Sequence, residues 1–324
     1  MEKLLELRNI KKYFTVSNGL LHAVDDISLD VNKGETLGIV GESGCGKSTL
    51  GRVILRLHEP TAGSIFFKGI DITTLNKDEM IQMRKHMQII FQDPYASLNP
   101  RFNVAQIIEE PLRLHKIFQT DAERKERVEE LIETVGLSRR IYNSYPHEFD
   151  GGRRQRIVIA RALAMNPQFV VCDEPVSALD VSIQAQILNL MIELQKKMGL
   201  TYVFISHDLS VVKHISDNIA VLYLGQVVEK TDKNTLFRSP LHPYTIALLS
   251  AIPSVNIDVK PKKIILHGEL ASPINPGPGC RFAPRCQFAR EECHHNMPEL
   301  VEIEPGHQVA CHRASEIKAG TLSY

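Results

Sequence analysis

An α/β fold organised around a phosphate-binding loop is the class the sequence predicts, on three observations. Short apolar, β-branched runs alternate with longer helical stretches from about residue 35 to residue 228, the pattern of a largely parallel sheet covered by helices. One such run, "ETLGIV", leads straight into "GESGCGKST", Gly41 to Thr49. This is the pattern G-x-x-x-x-G-K-[ST] in the strand–loop–helix setting that it requires. A second run, "FVVCDEP", carries Asp173 and Glu174 to its carboxyl end, where α/β proteins place their ligands.

In chain order, the first thirty residues and "GSIFFKGIDI" read as antiparallel strands, a β subdomain beside the main sheet. "ETLGIVG", "MQIIFQ", "FVVCDEP", "TYVFISH" and "IAVLYLG" read as strands, and the segments near 47–57, 121–136, 153–165 and 182–198 as helices. After Pro240 the composition shifts towards Pro, Gly, His and Cys, so an appended Cys-rich module is expected there. The expected division is residues 1–240 and 241–324, with a helical subdomain over about 95–165.

Lys plus Arg equals Asp plus Glu, 38 against 38, so no broad basic surface for nucleic acid or anionic lipid is expected and a phosphate must be held by local geometry. Hydrophobic residues at 43% and charged ones at 23% suit a soluble globular chain. Met1 to Tyr13 lacks a secretory apolar core, and the longest apolar run, Ile219 to Leu224, is too short to span a bilayer. A cytoplasmic location is expected.

The loop supplies the chemistry of a nucleotide site. Gly41, Gly44 and Gly46 let consecutive amides turn towards phosphates, with Ser43 and Cys45 at the variable positions between them and Ser48 and Thr49 opening the helix. Lys47 reaches the β and γ oxygens and Ser48 offers a Mg²⁺ ligand. Asp173 is the expected acidic partner of that ion, and Glu174 the group that orients or deprotonates water. The alternatives are a glycine-rich turn without ligand and a solvated strand end.

With those residues in place the sequence resembles the ATP-binding subunits of ABC transporters, over about residues 4–235. The resemblance implies a role for each matching position. Tyr13 stacks on adenine; Gln92, in "IIFQDPYASLNP", senses Mg²⁺ and the γ-phosphate; "SALD", ending at Asp180, crosses a dimer interface; His207, in "FISHD", bonds the γ-phosphate. It also implies a clamp in which two nucleotides are sandwiched between two subunits. Movement passes to membrane-spanning partners near Gln92 and residues 95–145.

One stretch departs from the family. Where the signature usually reads Leu-Ser-Gly-Gly-Gln, this chain has Phe149, Asp150, Gly151, Gly152 and Arg153. A Ser-to-phosphate hydrogen bond contributes about 1.5 to 3 kcal/mol. Two like charges about 4 Å apart repel by about 4 kcal/mol at an effective dielectric of about 20. Asp150 therefore weakens the site its signature completes unless Arg153, three residues on, neutralises it. The reading is a heterodimer with a different paralogue and unequal sites. The alternative is that Asp150 only caps a helix.

The tail, "SPLHPYTIALLSAIPS" with "GELASPINPGPGCRFAPRCQFAREEC" and "EPGHQVACH", resembles that of oligopeptide and dipeptide importers. The resemblance implies an ATPase subunit on the cytoplasmic face of the membrane, working with two permease subunits and, indirectly, an external peptide-binding protein. Cys280, Cys286, Cys293 and Cys311 are spaced Cys-x5-Cys-x6-Cys-x17-Cys. Four thiolates suit a [4Fe–4S] cluster, which some members of that subfamily carry. Zinc is the runner-up, with His294, His295, His307 or His312 replacing a thiolate, and unligated or disulfide-bonded thiols remain a third possibility. The rival function is a soluble ABC-type ATPase acting on DNA or ribosomes.

Overall fold

The computed structural model of the chain describes residues 2–252, 264–266, 272–322 and 324. Pro253 and Ser254 of the first tail stretch, and residues 268–271 of the second, lie outside the described residues.

The first elements are β1 (Lys3–Val16), β2 (Gly19–Asn32), β3 (Thr36–Val40), α1 (Lys47–Ile54), β4 (Ala62–Phe67) and β5 (Ile70–Asp71). There follow α2 (Lys77–Met83), β6 (Met87–Ile90), α3 (Val104–Leu114), α4 (Asp121–Thr134), α5 (Gly151–Leu163), β7 (Phe169–Asp173), α6 (Val181–Met198) and β8 (Thr201–Ile205). The last are α7 (Leu209–Ile215), β9 (Asn218–Tyr223), β10 (Gln226–Asp232), α8 (Lys233–Arg238), α9 (Pro243–Ser250), α10 (Glu291–His295), β11 (Val301–Glu304), β12 (His307–Val309) and α11 (Ala314–Lys318). Each strand and helix anticipated from the apolar pattern is present, within a few residues at its ends.

The chain divides into two compact units. The first comprises residues 32–35 and 74–204 with Glu2. Its strands run in the order β8-β7-β6, and β6 lies parallel to β7 in the register Met87↔Phe169 to Ile90↔Cys172. All five residues of β7 are buried, which is why it reads as one continuous apolar run and not as an alternation. Three helices, α3, α4 and α5, pack on one another through Ile108, Leu112, Val128, Ile132 and Ile157, all fully buried. Capping boxes at Asn103/Gln106 and Thr120/Glu123 set where α3 and α4 begin. α3 falls inside the expected helical subdomain, and Pro111 within it interrupts the pattern that would mark it as a separate helix.

The second unit comprises residues 3–31, 36–73 and the described residues from 205 on. It contains the antiparallel sheet β2-β1-β4-β5 and the strand run β11-β12-β10-β9-β3. β3 and β9 are parallel from Leu37↔Asn218 to Val40↔Val221. β9 turns into β10 through Leu224 (φ 42°) and Gly225 (φ 81°), a two-residue turn whose positive φ values match the twist of the strands.

The expectation of an appended Cys-rich module is not supported: the tail continues the sheet. β12 pairs antiparallel with β10 (Glu229↔Val309, Lys230↔Gln308), and β11 pairs with β12. Glu229 is fully buried on β10 and accepts hydrogen bonds from the Leu241 amide (2.7 Å) and the His242 amide (3.0 Å). His307 Nε2 sits 2.7 Å from the same carboxylate. His242 is itself buried and pushed down to about 4 by that burial, and its Nδ1 accepts from the Tyr244 amide at 3.1 Å. The tail keeps a small apolar cluster of its own, Leu241, Val309 and Ala314 with Ile303, Cys311 and Ile317 packed against it, and extends the sheet beyond β10.

Candidate functional site

In the second unit, β3 ends at Val40 and the loop Gly41–Gly46 opens α1 at Lys47. Two glycines in it are required by geometry. Gly46 has φ 104°, and a Cβ there would lie 2.0 Å from the Ala23 carbonyl oxygen; at Gly41 it would lie 2.2 Å from the Leu222 carbonyl oxygen. Gly46, as N-cap, offers no side chain to the first amides of α1, and such amides at a helix start form an anion site. The Lys47 ammonium is buried and donates to the carbonyls of Gly41 (2.8 Å) and Glu42 (2.9 Å). Ser43 and Gly44 are exposed, while Ser48 and Thr49 are half-buried. Cys45 is buried, its thiol pushed up by desolvation, as suits a small filler.

The Tyr13 ring stacks on His22, with centroids 3.9 Å apart, and its hydroxyl donates to Asp25. Burial and that bond push the phenol far up. Burial alone would raise the Asp25 carboxyl, but the bonds from Tyr13 and His22 and the Arg281 guanidinium bring it below the usual range. His207 is exposed, two residues beyond β8 and just before α7.

In the first unit, β7 delivers Asp173, buried, and then Glu174, half-buried. Gln92 Nε2 donates to Glu174 Oε2 at 2.8 Å, so two of the expected catalytic residues meet directly. Glu174 has φ 49°, a left-handed conformation that costs a non-glycine residue energy and persists where its surroundings impose it. No residue pattern announced that strain. Asp180 is the N-cap of α6, accepting from the Ile183 amide (2.9 Å) and Ser182 Oγ (2.7 Å), and those bonds hold its carboxyl low.

Asp150 is the N-cap of α5: its Oδ1 accepts from the Arg153 amide at 2.8 Å. Its Oδ2 lies 3.6 Å from Arg153 Nε, both side chains being exposed. The capping bond and a nearby guanidinium are thus present together. The two glycines have a packing reason as well, since a Cβ on Gly151 would meet Leu179 at 2.9 Å and one on Gly152 would meet Ile183 at 2.6 Å.

Cys280, Cys286, Cys293 and Cys311 line one cavity, whose walls are otherwise largely apolar and include Pro243, Phe282, Ala283 and Phe288. Desolvation pushes Cys286 up to about 11 and Cys311 up to about 12, and neighbouring thiols add to both shifts. Yet among the described residues no three His, Cys, Asp or Glu side chains are grouped as the ligands of a metal ion. The histidines offered for zinc divide. His307 is committed to buried Glu229, which removes it as a ligand. His295 pairs with Glu291 at 2.9 Å. His312 lines the cavity, its Nε2 3.0 Å from the Asn296 carbonyl oxygen. His294 lines a neighbouring pocket.

Residues missed by the sequence reading are Asp25, Glu42, Tyr244, Arg281 and Arg285, which meet around the loop by way of the tail. Arg285 Nη1 reaches both Glu42 carboxylate oxygens (3.0 and 3.3 Å), and Tyr244 Oη accepts from the Glu42 amide (2.9 Å). Pairings across some 200 residues leave no local signal.

The family described as ABC transporter matches residues 24–177, and that described as Oligopeptide/dipeptide transporter, C-terminal region, matches residues 228–293. The chain is 54% identical to the oligopeptide transport ATP-binding protein AppF of Bacillus subtilis, over 96% of this chain and 97% of that one. It is 49% identical to the dipeptide transport ATP-binding protein DppF of Haemophilus influenzae, over 95% of this chain and 96% of that one. Among solved structures it is similar to the ATP-binding cassette MJ0796, a dimer in a post-hydrolysis state with ADP and Pi. There the TM-score is 0.65 and the identity 30%, over 71% of this chain and 98% of that one.

Proposed function

The chain belongs to the ABC transporter family, among its oligopeptide and dipeptide transport ATP-binding proteins, and on that premise we propose that it is the ATP-hydrolysing subunit of a peptide importer. The observation that carries the reading is the loop Gly41–Thr49 with its buried Lys47, in a chain alike from end to end to such proteins. The named relatives favour peptide transport over action on DNA or ribosomes.

In this reading Lys47 and the loop amides hold the triphosphate, and Tyr13 the adenine. Ser48, Asp173 and Gln92 would hold Mg²⁺, which would supply charge neutralisation at the phosphates. Glu174 accepts a proton from the attacking water, and His207 bonds the γ-phosphate. We infer that permease partners carry the transport, with this subunit on the cytoplasmic face; among the described residues no helix is long and apolar enough to cross a membrane. Gain and loss of the γ-phosphate bias a two-state dimer interface.

The partner in that dimer is a different paralogue, and the support is Asp150 at the signature, where an anion meets a carboxylate instead of a hydroxyl. The Arg153 side chain, 3.6 Å away and exposed, screens the charge only partly. Asp150→Ser in the assembled transporter is expected to tighten MgATP by roughly threefold or more, read by nucleotide titration and turnover. Unchanged affinity and turnover remove the unequal-site reading.

The four thiols around one cavity are the support for a [4Fe–4S] cluster, with zinc as second choice. When bound, such a group supplies a structural constraint to a loop-rich tail. Anaerobically purified protein is expected to be brown, with iron and acid-labile sulfide that Cys286→Ser diminishes. A colourless protein with stoichiometric zinc reverses the order of the two.

A further inference from the structure

We propose that Arg285 is a positioning residue for the nucleotide: it neutralises and holds Glu42, the second residue of the phosphate loop, so that the loop presents its amides and Lys47 to an anion. The inference rests on the nucleotide reading of Gly41–Thr49.

The contacts all lie within one compact unit. Arg285 follows Phe282, which is buried against Tyr223 and Tyr244 at centroid distances of 5.3 and 5.5 Å. That aromatic anchor fixes the short turn from which the guanidinium projects. Arg285 is largely buried, and its Nη1 contacts both oxygens of Glu42 and lies 3.5 Å from Tyr223 Oη. The Glu42 amide is held by Tyr244 Oη and the Glu42 carbonyl by Lys47 Nζ. The amide, carboxylate and carbonyl of this one loop residue are therefore all engaged, two of them by the C-terminal extension.

Two consequences follow for an incoming triphosphate. An uncompensated carboxylate on the loop would oppose the phosphate charge, and a charge partner in a partly buried setting removes that opposition. Fixing Glu42 also fixes the carbonyl on which Lys47 rests, lowering the cost of ordering the loop on binding. Arg281, four residues earlier, makes the parallel contact on the other side, donating to the Leu224 carbonyl and to the Asp25 that holds Tyr13. The tail thus supports the loop and the aromatic ring from one segment.

The test is MgATP affinity of the full-length subunit in its complex, read with a fluorescent ATP analogue alongside the melting temperature without nucleotide. Arg285→Met is expected to weaken binding roughly three- to tenfold with little change in kcat at saturation. Glu42→Gln combined with Arg285→Met is expected to return affinity close to that of Glu42→Gln alone, because the exposed charge is then gone. Wild-type affinity in Arg285→Met, or a double variant as weak as Arg285→Met, overturns the proposal. Should Arg285→Met lower the melting temperature, Arg285→Lys decides: intermediate affinity supports the guanidinium fork, and unaltered affinity overturns it. Lys47→Ala is the control. If it leaves binding intact the nucleotide reading fails, whereas its loss of binding beside an unaffected Arg285→Met sinks this inference alone.

Discussion

Lys47→Ala is expected to abolish transport-coupled ATP hydrolysis, with kcat falling by about 10²- to 10³-fold or more. The ammonium is buried and rests on the carbonyls of Gly41 and Glu42. Alanine removes the only charge of the loop that can follow the β and γ oxygens, and it takes a donor from each of two carbonyls, that of Glu42 keeping the Cys45 amide at 3.3 Å. A neutral overall charge, 38 basic against 38 acidic residues, gives no diffuse field to compensate. Steady-state hydrolysis by the assembled transporter and nucleotide titration of the same preparation are the measurements. Hydrolysis within a few-fold of the parent, in a chain that still melts normally, would end the nucleotide reading.

Glu174→Gln is expected to separate binding from chemistry. Gln92 donates to Glu174 Oε2 at 2.8 Å, and a glutamine at 174 still offers an acceptor oxygen there, so the local arrangement survives. What is lost is proton acceptance. Turnover should drop by about 10²- to 10⁴-fold while MgATP affinity is kept, and unhydrolysed ATP should accumulate on the complex in a single-turnover experiment. The left-handed backbone at Glu174 (φ 49°) stays with either residue, which makes the amide a cleaner probe than alanine. Turnover that persists at the parent rate removes Glu174 as the base.

Local rules account for how much of this was legible. A loop that must bind phosphate through its own amides needs glycine at fixed steps and a lysine at the helix start, and that requirement is written in nine consecutive residues, Gly41 to Thr49. Buried parallel strands need apolar residues on both faces, so β3 and β7 are visible as runs. Asp150 was legible as a cap, because capping depends only on residues within one helical turn.

The tail was legible in composition and not in placement. Its cysteines stood out, but their spacing could not say that four thiols face one cavity without forming a single-ion site. Nor could it say that β11 and β12 extend the strand run past β10. His307 looked like a possible ligand until Glu229, 78 residues away, was seen to hold it.

The sequence by itself determined the chemistry of this protein: a phosphate loop, a pair of acids after a buried strand, an altered signature and a cysteine-bearing tail. Only the tertiary structure decided what supports that chemistry, namely the Gln92–Glu174 bond, the strained Glu174 backbone and the clasp of Arg285 and Tyr244 on Glu42. The reason is range. Amide cradles, caps and strand periodicity are set by neighbours in the chain, whereas a buried charge takes whichever partner the packed fold brings to it.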